Sequence, residues 1–216
     1  MQILYQDTAI LIVNKPANLP VLPEGWDKDA PYVVRMLEEQ FHKVWVVHRI
    51  DKVTSGLVVF ALTAEAHRQL SIQFEKHEVE KRYHALINGV PSWDEKVARF
   101  PLRANVGHRH RTVVDDRDGV RSETRFRILE RWQASALVEA SPVTGRTHQI
   151  RVHAYALGHP LLGDTLYSAP VTKVIARPAL HAFFVSFAHP ETGKRTEFQA
   201  DYPDDFIKAV NSQRTK

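Results

Sequence analysis

The sequence predicts an α+β fold, with a mixed, mainly antiparallel sheet and helices at its periphery. Segments typical of strands outnumber those typical of helices along the 216 residues. Few β–α–β units appear, which argues against an all-parallel sheet. The chain also contains no internal repeat and no long linker. Together with the length, this predicts one domain over residues 1–216.

The first third of the chain predicts two buried strands and two helices. Apolar, β-branched runs favour strands at Ala9–Val13 and Gly56–Leu62. Apolar residues at helical spacing favour a helix over Tyr32–Phe41. Thr63 is typical of a helix N-cap and predicts a second helix that extends to about Glu75.

A loop separates elements of the first third, and the rest of the chain predicts five strands and two helices. Three prolines, a glycine and four charged residues make Leu19–Pro31 a loop. Alternating or apolar runs predict strands at Lys81–Ile87, Ser122–Trp132, Ala136–Ala140, Leu180–Phe187 and Arg195–Phe198. Helical spacing predicts helices over Thr147–Leu157, closed by Gly158, and over Asp204–Val210.

Composition excludes several classes of protein. With 44% hydrophobic and 25% charged residues, the chain does not have the composition of a disordered protein. The absence of cysteine excludes disulfides, thiolate nucleophiles and cysteine-ligated metals. No apolar run is long enough to span a bilayer, and the N-terminus does not resemble a signal peptide. We therefore expect a cytoplasmic protein with no membrane partner.

The net charge of +4 is compatible with a nucleic-acid partner but is too small to indicate one. The basic run 103–111, RANVGHRHR, holds three arginines and two histidines without an acid. Two interpretations stay open for it. It forms either a solvated basic hairpin or an arm that contacts phosphates, in which case Arg109 and Arg111 are candidate contacts.

A second basic segment surrounds the predicted start of the helix at Thr147. Helix N-termini attract anions, and Arg146, His148 and Arg151 add positive charge there. The segment is therefore either a site for a phosphate or carboxylate partner or an exposed basic helix. His148 and His153 lie about 140° apart around a helix and do not share a face, so we expect no metal site. Phosphate-loop and dinucleotide motifs are missing, and we expect no cofactor.

Two further segments carry candidate functional residues. An apolar strand precedes His48, Arg49 and Asp51, and a second apolar strand follows them. A turn would explain the polar residues, but a carboxylate between buried strands needs a cationic partner or several hydrogen bonds. Tyr83, in a predicted strand, is either a packed aromatic residue or a ring that stacks on a nucleobase.

Taken together and in order, these segments resemble the RluA family of pseudouridine synthases. The resemblance covers residues 3–206, and Ile50 stands where the family usually has leucine. It rests on Asn14-Lys15-Pro16, HRIDKVTSG at 48–56, KRYHALING at 81–89, GRTHQIRVH at 145–153, GHPLLGDTLY at 158–167, RPALHA at 177–182 and HPETG at 189–193.

The resemblance implies a pseudouridine synthase fold: a long, mainly antiparallel sheet flanked by helices, with an active site in a central cleft. It also implies isomerisation of uridine in RNA, a reaction that needs neither cofactor nor metal. Some relatives carry an N-terminal S4 domain. We expect none here, because the first strand begins near residue 2.

The resemblance further implies roles for five residues. Asp51 matches the catalytic aspartate, Arg151 matches the arginine that pairs with it, and Tyr83 matches the tyrosine that lies against the target base. Arg49 matches the residue that fills the space left by the flipped uridine. Leu180 matches an apolar contact beside the tyrosine.

The expected partner is a stem-loop of tRNA, of 23S-type large-subunit rRNA, or of both, because a loop base is the least costly to flip. We expect a monomer, since no assembly signal appears. Two alternatives remain at this point. One is a non-catalytic RNA-binding or RNA-folding module, and the other is an RNA hydrolase, for which no metal or second catalytic acid is placed.

Overall fold

The structure is a computed structural model that describes residues 1–24 and 29–215. Its strands are β1 (Gln2–Gln6), β2 (Ile10–Lys15), β3 (Trp45–Val46), β4 (Ser55–Ala61), β5 (Glu80–Asn88), β6 (Glu95–Ala98), β7 (Leu102–Val106), β8 (Arg111–Val114), β9 (Thr124–Arg131), β10 (Ser135–Pro142), β11 (Leu180–Ala188) and β12 (Arg195–Gln199). Its α-helices are α1 (Val33–Phe41), α2 (Ala64–Glu75), α3 (Gln149–Ala156) and α4 (Asp204–Arg214). A short 3₁₀ turn covers Thr165–Tyr167.

The chain divides into two compact units. The first unit comprises residues 1–81 and 182–201, and the second comprises residues 82–181 and 202–216. In the first unit, strands β1, β2 and β4 are neighbours, while β3 pairs with β4 and β12 with β11, all antiparallel. The core of this unit joins β2 and β4 to the apolar face of α2, as shown by the cluster of Ile12, Val59 and Leu70.

Strand β4 is buried on both faces, since all seven of its residues are buried. Its second residue, Gly56, has a φ of +113°, which residues with a side chain rarely adopt. A Cβ atom there would lie 2.3 Å from the carbonyl oxygen of Ala182. Glycine at this position therefore lets the backbone of β11 approach β4 closely.

In the second unit, β10 pairs with β5 and β9, and β9 also pairs with β6, all antiparallel. Because strand residues alternate between faces, this sheet has two apolar sides. Ala85 packs with Ile150 of α3 in one cluster, whereas Leu86 packs with Phe206 of α4 in another. Each side of the sheet is thus covered by one helix. Strands β7 and β8 form a separate hairpin.

The predicted α+β class and every predicted helix and strand are confirmed, with end shifts of a few residues. Thr63 is the N-cap of α2, where its hydroxyl accepts the N–H of Ala66 at 3.1 Å. No range was predicted for β1, β3 or β6, which have only five, two and four residues and so carry little pattern, and β7 and β8 were foreseen only as a possible hairpin over 103–111. In the predicted loop at 19–31, residues 25–28 lie outside the described residues. None of the described helices combines the length and apolar character needed to cross a membrane.

Candidate active site

The segment that carries Arg49 and Asp51 connects β3 to β4 in the first unit. Asp51 is half-buried and Arg49 is exposed. The carbonyl oxygen of Asp51 accepts the N–H of Thr54 at 3.0 Å, which closes a tight turn. The polar residues thus form a turn as well as carrying candidate chemistry.

Lys15, at the end of β2, hydrogen-bonds to the backbone beside this turn. Its side chain is fully buried, and Nζ donates to the carbonyl oxygens of Pro16 at 2.9 Å, Leu19 at 2.8 Å and Lys52 at 3.1 Å. A buried ammonium needs such acceptors, because leaving it unpaired would be very costly. The bond to Lys52 fixes the backbone next to Asp51.

His48 is also a structural part of this segment. Its Nε2 accepts the N–H of Val59 at 3.0 Å, and its ring stacks on Phe74 with centroids 4.6 Å apart. Burial, together with the nearby charge of Lys81, lowers the pKa of His48 to about 3. The ring is therefore neutral at physiological pH, and it anchors the segment to β4.

In the second unit, α3 presents Arg151 to a buried carboxylate. Nε and Nη2 of Arg151 donate to the two oxygens of Asp164 at 2.7 and 2.8 Å. The Arg151 side chain is 6% exposed and that of Asp164 is 1% exposed. Such a side-on, two-point contact fixes the plane of the guanidinium as well as its charge.

The ring of Tyr167 also contacts Arg151. The guanidinium carbon lies 5.1 Å from the centre of the Tyr167 ring, within the range of a cation–π interaction. The Tyr167 hydroxyl accepts the N–H of Thr112 at 3.0 Å and lies 2.9 Å from Nδ1 of His148. Burial raises the pKa of Tyr167, so the hydroxyl stays protonated.

Helix α3 is buried, and the alternative of an exposed basic helix is therefore wrong. His153 is fully buried, with Nδ1 at 2.9 Å from the Thr124 hydroxyl and Nε2 at 2.9 Å from the Ser122 hydroxyl. Burial lowers its pKa to about 4 and keeps the ring neutral. The basic residues of α3 thus contact buried groups. Among the basic residues of this segment only Arg146, in the preceding turn, is exposed.

Tyr83 and Leu180 belong to the same apolar cluster of the second unit. Leu180 is 4% exposed, and the half-buried Tyr83 packs against the cluster that contains it. Tyr83 lies opposite Ala140 in the pairing of β5 with β10. The structure thus brings together the tyrosine and the apolar residue that the resemblance placed beside each other.

The basic run 103–111 forms the β7–β8 hairpin. Arg103 pairs with Asp115 at 2.6 Å, whereas Arg109 and Arg111 are exposed. The hairpin packs against α3 through a small cluster that includes Leu102 and Tyr167. The run does form a hairpin, as one of its two interpretations had it, and its contact with phosphates stays a prediction.

The structure therefore groups the candidate residues in two places. Arg49 and Asp51 lie in the first unit, and Arg151, Tyr83 and Leu180 lie in the second. The pairing of Asp51 with Arg151 stays a prediction. The sequence pattern indicated no role for Lys15, Asp164 or Tyr167. All three lie inside the quoted motifs, and a fully buried charge or hydroxyl shows its purpose only when its partners are known.

Comparison with known proteins gives a consistent family. Residues 9–156 match the sequence family described as RNA pseudouridylate synthase. The dual-specificity RNA pseudouridine synthase RluA of Escherichia coli is 38% identical over 94% of this chain and 93% of its own length. The ribosomal large subunit pseudouridine synthase D of Zymomonas mobilis is 36% identical over 95% of this chain and 70% of its own length.

Solved structures agree with the sequence matches. The human RNA pseudouridylate synthase domain containing 4 superposes with a TM-score of 0.82 at 26% identity, covering 98% of this chain and 92% of that one. The human RNA pseudouridylate synthase domain containing 1 gives 0.77 at 28% identity, with coverages of 93% and 83%. The predicted pseudouridine synthase fold is confirmed.

Fold and matches together define an RNA-modifying isomerase, and the alternatives of a passive RNA-binding module and an RNA hydrolase are not supported. The chain belongs to the RluA family of RNA pseudouridine synthases. It converts uridine in RNA to pseudouridine.

Proposed function

We propose that this chain is a single catalytic domain that modifies tRNA, large-subunit rRNA or both, with Asp51, Arg151 and Tyr83 as its catalytic residues. It works as a monomer in the cytoplasm. The observation that carries the choice of substrate is the match to the dual-specificity relative, which extends over nearly the whole of both chains. The relative from Zymomonas mobilis, named for the ribosomal large subunit, supports rRNA as one of the two substrates.

The reaction rearranges one nucleotide without adding or removing a group. The bond from N1 of uracil to C1′ breaks, the base turns, and C5 bonds to C1′, after which the hydrogen on C5 leaves as a proton and N1 takes up a proton from water. The Asp51 carboxylate acts either at C1′ or as a base toward the 2′ position. The guanidinium of Arg151 keeps that carboxylate ionised when RNA excludes water. Tyr83 lies against the base and assists removal of the C5 proton.

The other candidate residues bind RNA. Flipping a nucleotide costs a few kcal/mol, and less in a loop than in a helix. Arg49 fills the space left by the flipped uridine, and Leu180 supports the base beside Tyr83. Arg109 and Arg111 grip the backbone from the exposed hairpin. Arg146 and His148, at the start of α3, contribute to the same basic surface.

Release of tritium from uridine labelled at C5 tests the proposal, because only loss of that hydrogen reports an isomerisation without change of mass. We expect release by the wild type from bulk tRNA, from unmodified large-subunit rRNA or from both. Asp51→Asn keeps the fold and RNA binding but shows no release. Wild-type release by Asp51→Asn contradicts the role of Asp51, and no release from either RNA contradicts the substrate.

The dependence of RNA affinity on salt tests the hairpin. Each phosphate contact removed lowers the slope of log K against log salt by about one. We expect this change for Arg109→Ala and for Arg111→Ala. Lys208→Ala, an exposed change on α4 of the same unit, serves as the control and keeps the wild-type slope. An unchanged slope in both arginine variants removes the hairpin from the RNA-binding surface.

A further inference from the structure

A requirement for stability does not explain why the ion pair of Arg151 and Asp164 is buried. Both side chains are almost completely buried, and two hydrogen bonds of 2.7 and 2.8 Å join them. Taking two charges out of water costs about as much as their attraction returns, so apolar residues of similar volume are often as stable. What such a pair does supply is a fixed direction for the guanidinium.

The surroundings of Arg151 restrict it further. The side-on contact uses Nε and one hydrogen of Nη2, which places the Asp164 carboxylate in the plane of the guanidinium. The guanidinium carbon also lies over the ring of Tyr167, 5.1 Å from its centre. The edge that carries Nη1 is directed away from Asp164, because the carboxylate occupies the opposite edge. The two-point contact and the packed ring together restrict the motion of the guanidinium.

Asp164 is held as firmly as the arginine it binds. It lies at the start of the 3₁₀ turn Thr165–Tyr167, and its N–H donates to the carbonyl oxygen of Leu161 at 3.1 Å. Gly163 before it has a φ of +76°, and a Cβ there would lie 2.2 Å from the carbonyl oxygen of Arg177. Glycine is therefore required immediately before Asp164, and this constrains the backbone that carries the carboxylate.

We propose that Asp164 is a positioning residue of the synthase, which fixes the orientation of the Arg151 guanidinium to which the proposed function assigns a catalytic role. The inference rests on the proposed roles of Asp51 and Arg151. Asp164 itself does not touch RNA or the reacting atoms. It acts before substrate arrives, by removing the rotamers of Arg151 in which its charge points elsewhere.

Two variants of Asp164 separate aim from stability. Asp164→Asn keeps the shape and removes the charge that holds the guanidinium. Asp164→Glu keeps a carboxylate opposite the guanidinium of Arg151 but displaces it by one methylene group. Misplacement by about 1 Å costs about 10²-fold in rate. We therefore expect kcat for tritium release to fall by about that factor in Asp164→Asn and by less in Asp164→Glu, while the dissociation constant for the same RNA stays unchanged.

Rates are expressed per folded protein, from thermal unfolding of each variant. Glu130→Gln is the control, since it removes a two-point pair with Arg214 on the outside of the same unit and leaves kcat unchanged. A wild-type kcat in folded Asp164→Asn overturns the proposal. If Asp164→Asn does not fold, Asp164→Glu decides, and a wild-type kcat there overturns it equally.

Asp51→Asn is measured beside these variants. Turnover by Asp51→Asn refutes the proposed function, whatever the Asp164 variants do. An inactive Asp51→Asn with fully active Asp164 variants refutes the positioning role alone. A fall in kcat together with a weaker RNA affinity in Asp164→Asn also overturns the proposal, because it assigns Asp164 to substrate binding.

Discussion

The Asp51 turn and the surroundings of Arg151 are fixed in different ways. In the first unit, Lys15 donates to three backbone carbonyls and His48 accepts a backbone N–H, so the turn is held through main-chain groups. In the second unit, Arg151 is held by the side chains of Asp164 and Tyr167. Removal of Lys15 leaves neutral carbonyl oxygens unpaired, whereas removal of Arg151 leaves a carboxylate unpaired. We therefore expect the two changes to lower the free energy of unfolding by different amounts.

The largest expected effect is that of Arg151→Met. It leaves the Asp164 carboxylate buried without its cation, and breaking a buried ion pair costs about 3–5 kcal/mol. We expect the free energy of unfolding in urea to fall by about that amount. Arg214→Met is the control, because its partner Glu130 is 33% exposed and the pair is at the surface. That variant loses about 1 kcal/mol or less.

Lys15→Met tests the first unit in the same way. It also removes a buried cation, and the acceptors that it leaves include three neutral carbonyl oxygens. Leaving a buried acceptor unsatisfied costs about 1–3 kcal/mol, and water reaching the turn offsets part of the sum. We expect a fall of about 3 kcal/mol, with Lys208→Met as the exposed control. A loss larger than that of Arg151→Met would reverse the comparison.

Neutral buried histidines, His48 and His153 among them, predict a loss of stability in mild acid. The pKa of His153 is about 4 in the folded protein and about 6.5 in the unfolded chain, so the unfolded state binds the extra proton as the pH falls. This contribution to stability is fully present above about pH 6.5 and is lost toward pH 4. Between pH 7 and pH 5 it amounts to about 2 kcal/mol. His48, with a pKa of about 3, acts in the same direction.

Urea unfolding of His153→Gln measures that contribution, because glutamine can bond to the same two hydroxyls without titrating. We expect its unfolding free energy to depend less on pH between 7 and 5 than that of the wild type. The exposed His108→Gln keeps the wild-type dependence. Equal slopes in His153→Gln and the wild type would show that His153 does not titrate as its burial requires.

The sequence predicted the strands and helices well because their signals are local. Thr63 as an N-cap and the apolar run of β4 act through near neighbours, and both were confirmed. The burial of α3 was not predicted, because Arg151 and His153 resemble surface residues until their partners are known. Asp164 lies thirteen residues after Arg151. Which carboxylate neutralises a buried arginine depends on the path of the intervening turn.

The partners of Tyr167 are further from it in sequence than Asp164 is from Arg151. Removal of the Tyr167 hydroxyl is the substitution with the smallest expected effect. Tyr167→Phe keeps the ring beside Arg151 and removes the hydroxyl, together with its bonds to the Thr112 N–H and to Nδ1 of His148. Each such hydrogen bond contributes about 1 kcal/mol, so we expect a loss of about 1–2 kcal/mol in the free energy of unfolding.

The distinguishing measurement for Tyr167→Phe is amide exchange in the hairpin. We expect faster exchange of the Thr112 N–H, weaker RNA affinity and an unchanged kcat, because the hydroxyl ties the basic hairpin to α3 whereas the ring alone contacts the guanidinium. Tyr155→Phe, a change at an exposed ring of α3, leaves all three quantities as in the wild type. A fall in kcat without faster exchange at Thr112 would mean that the hydroxyl acts on Arg151. In that case the hairpin and the arginine are not held independently, and the second unit responds to RNA as one network of side chains.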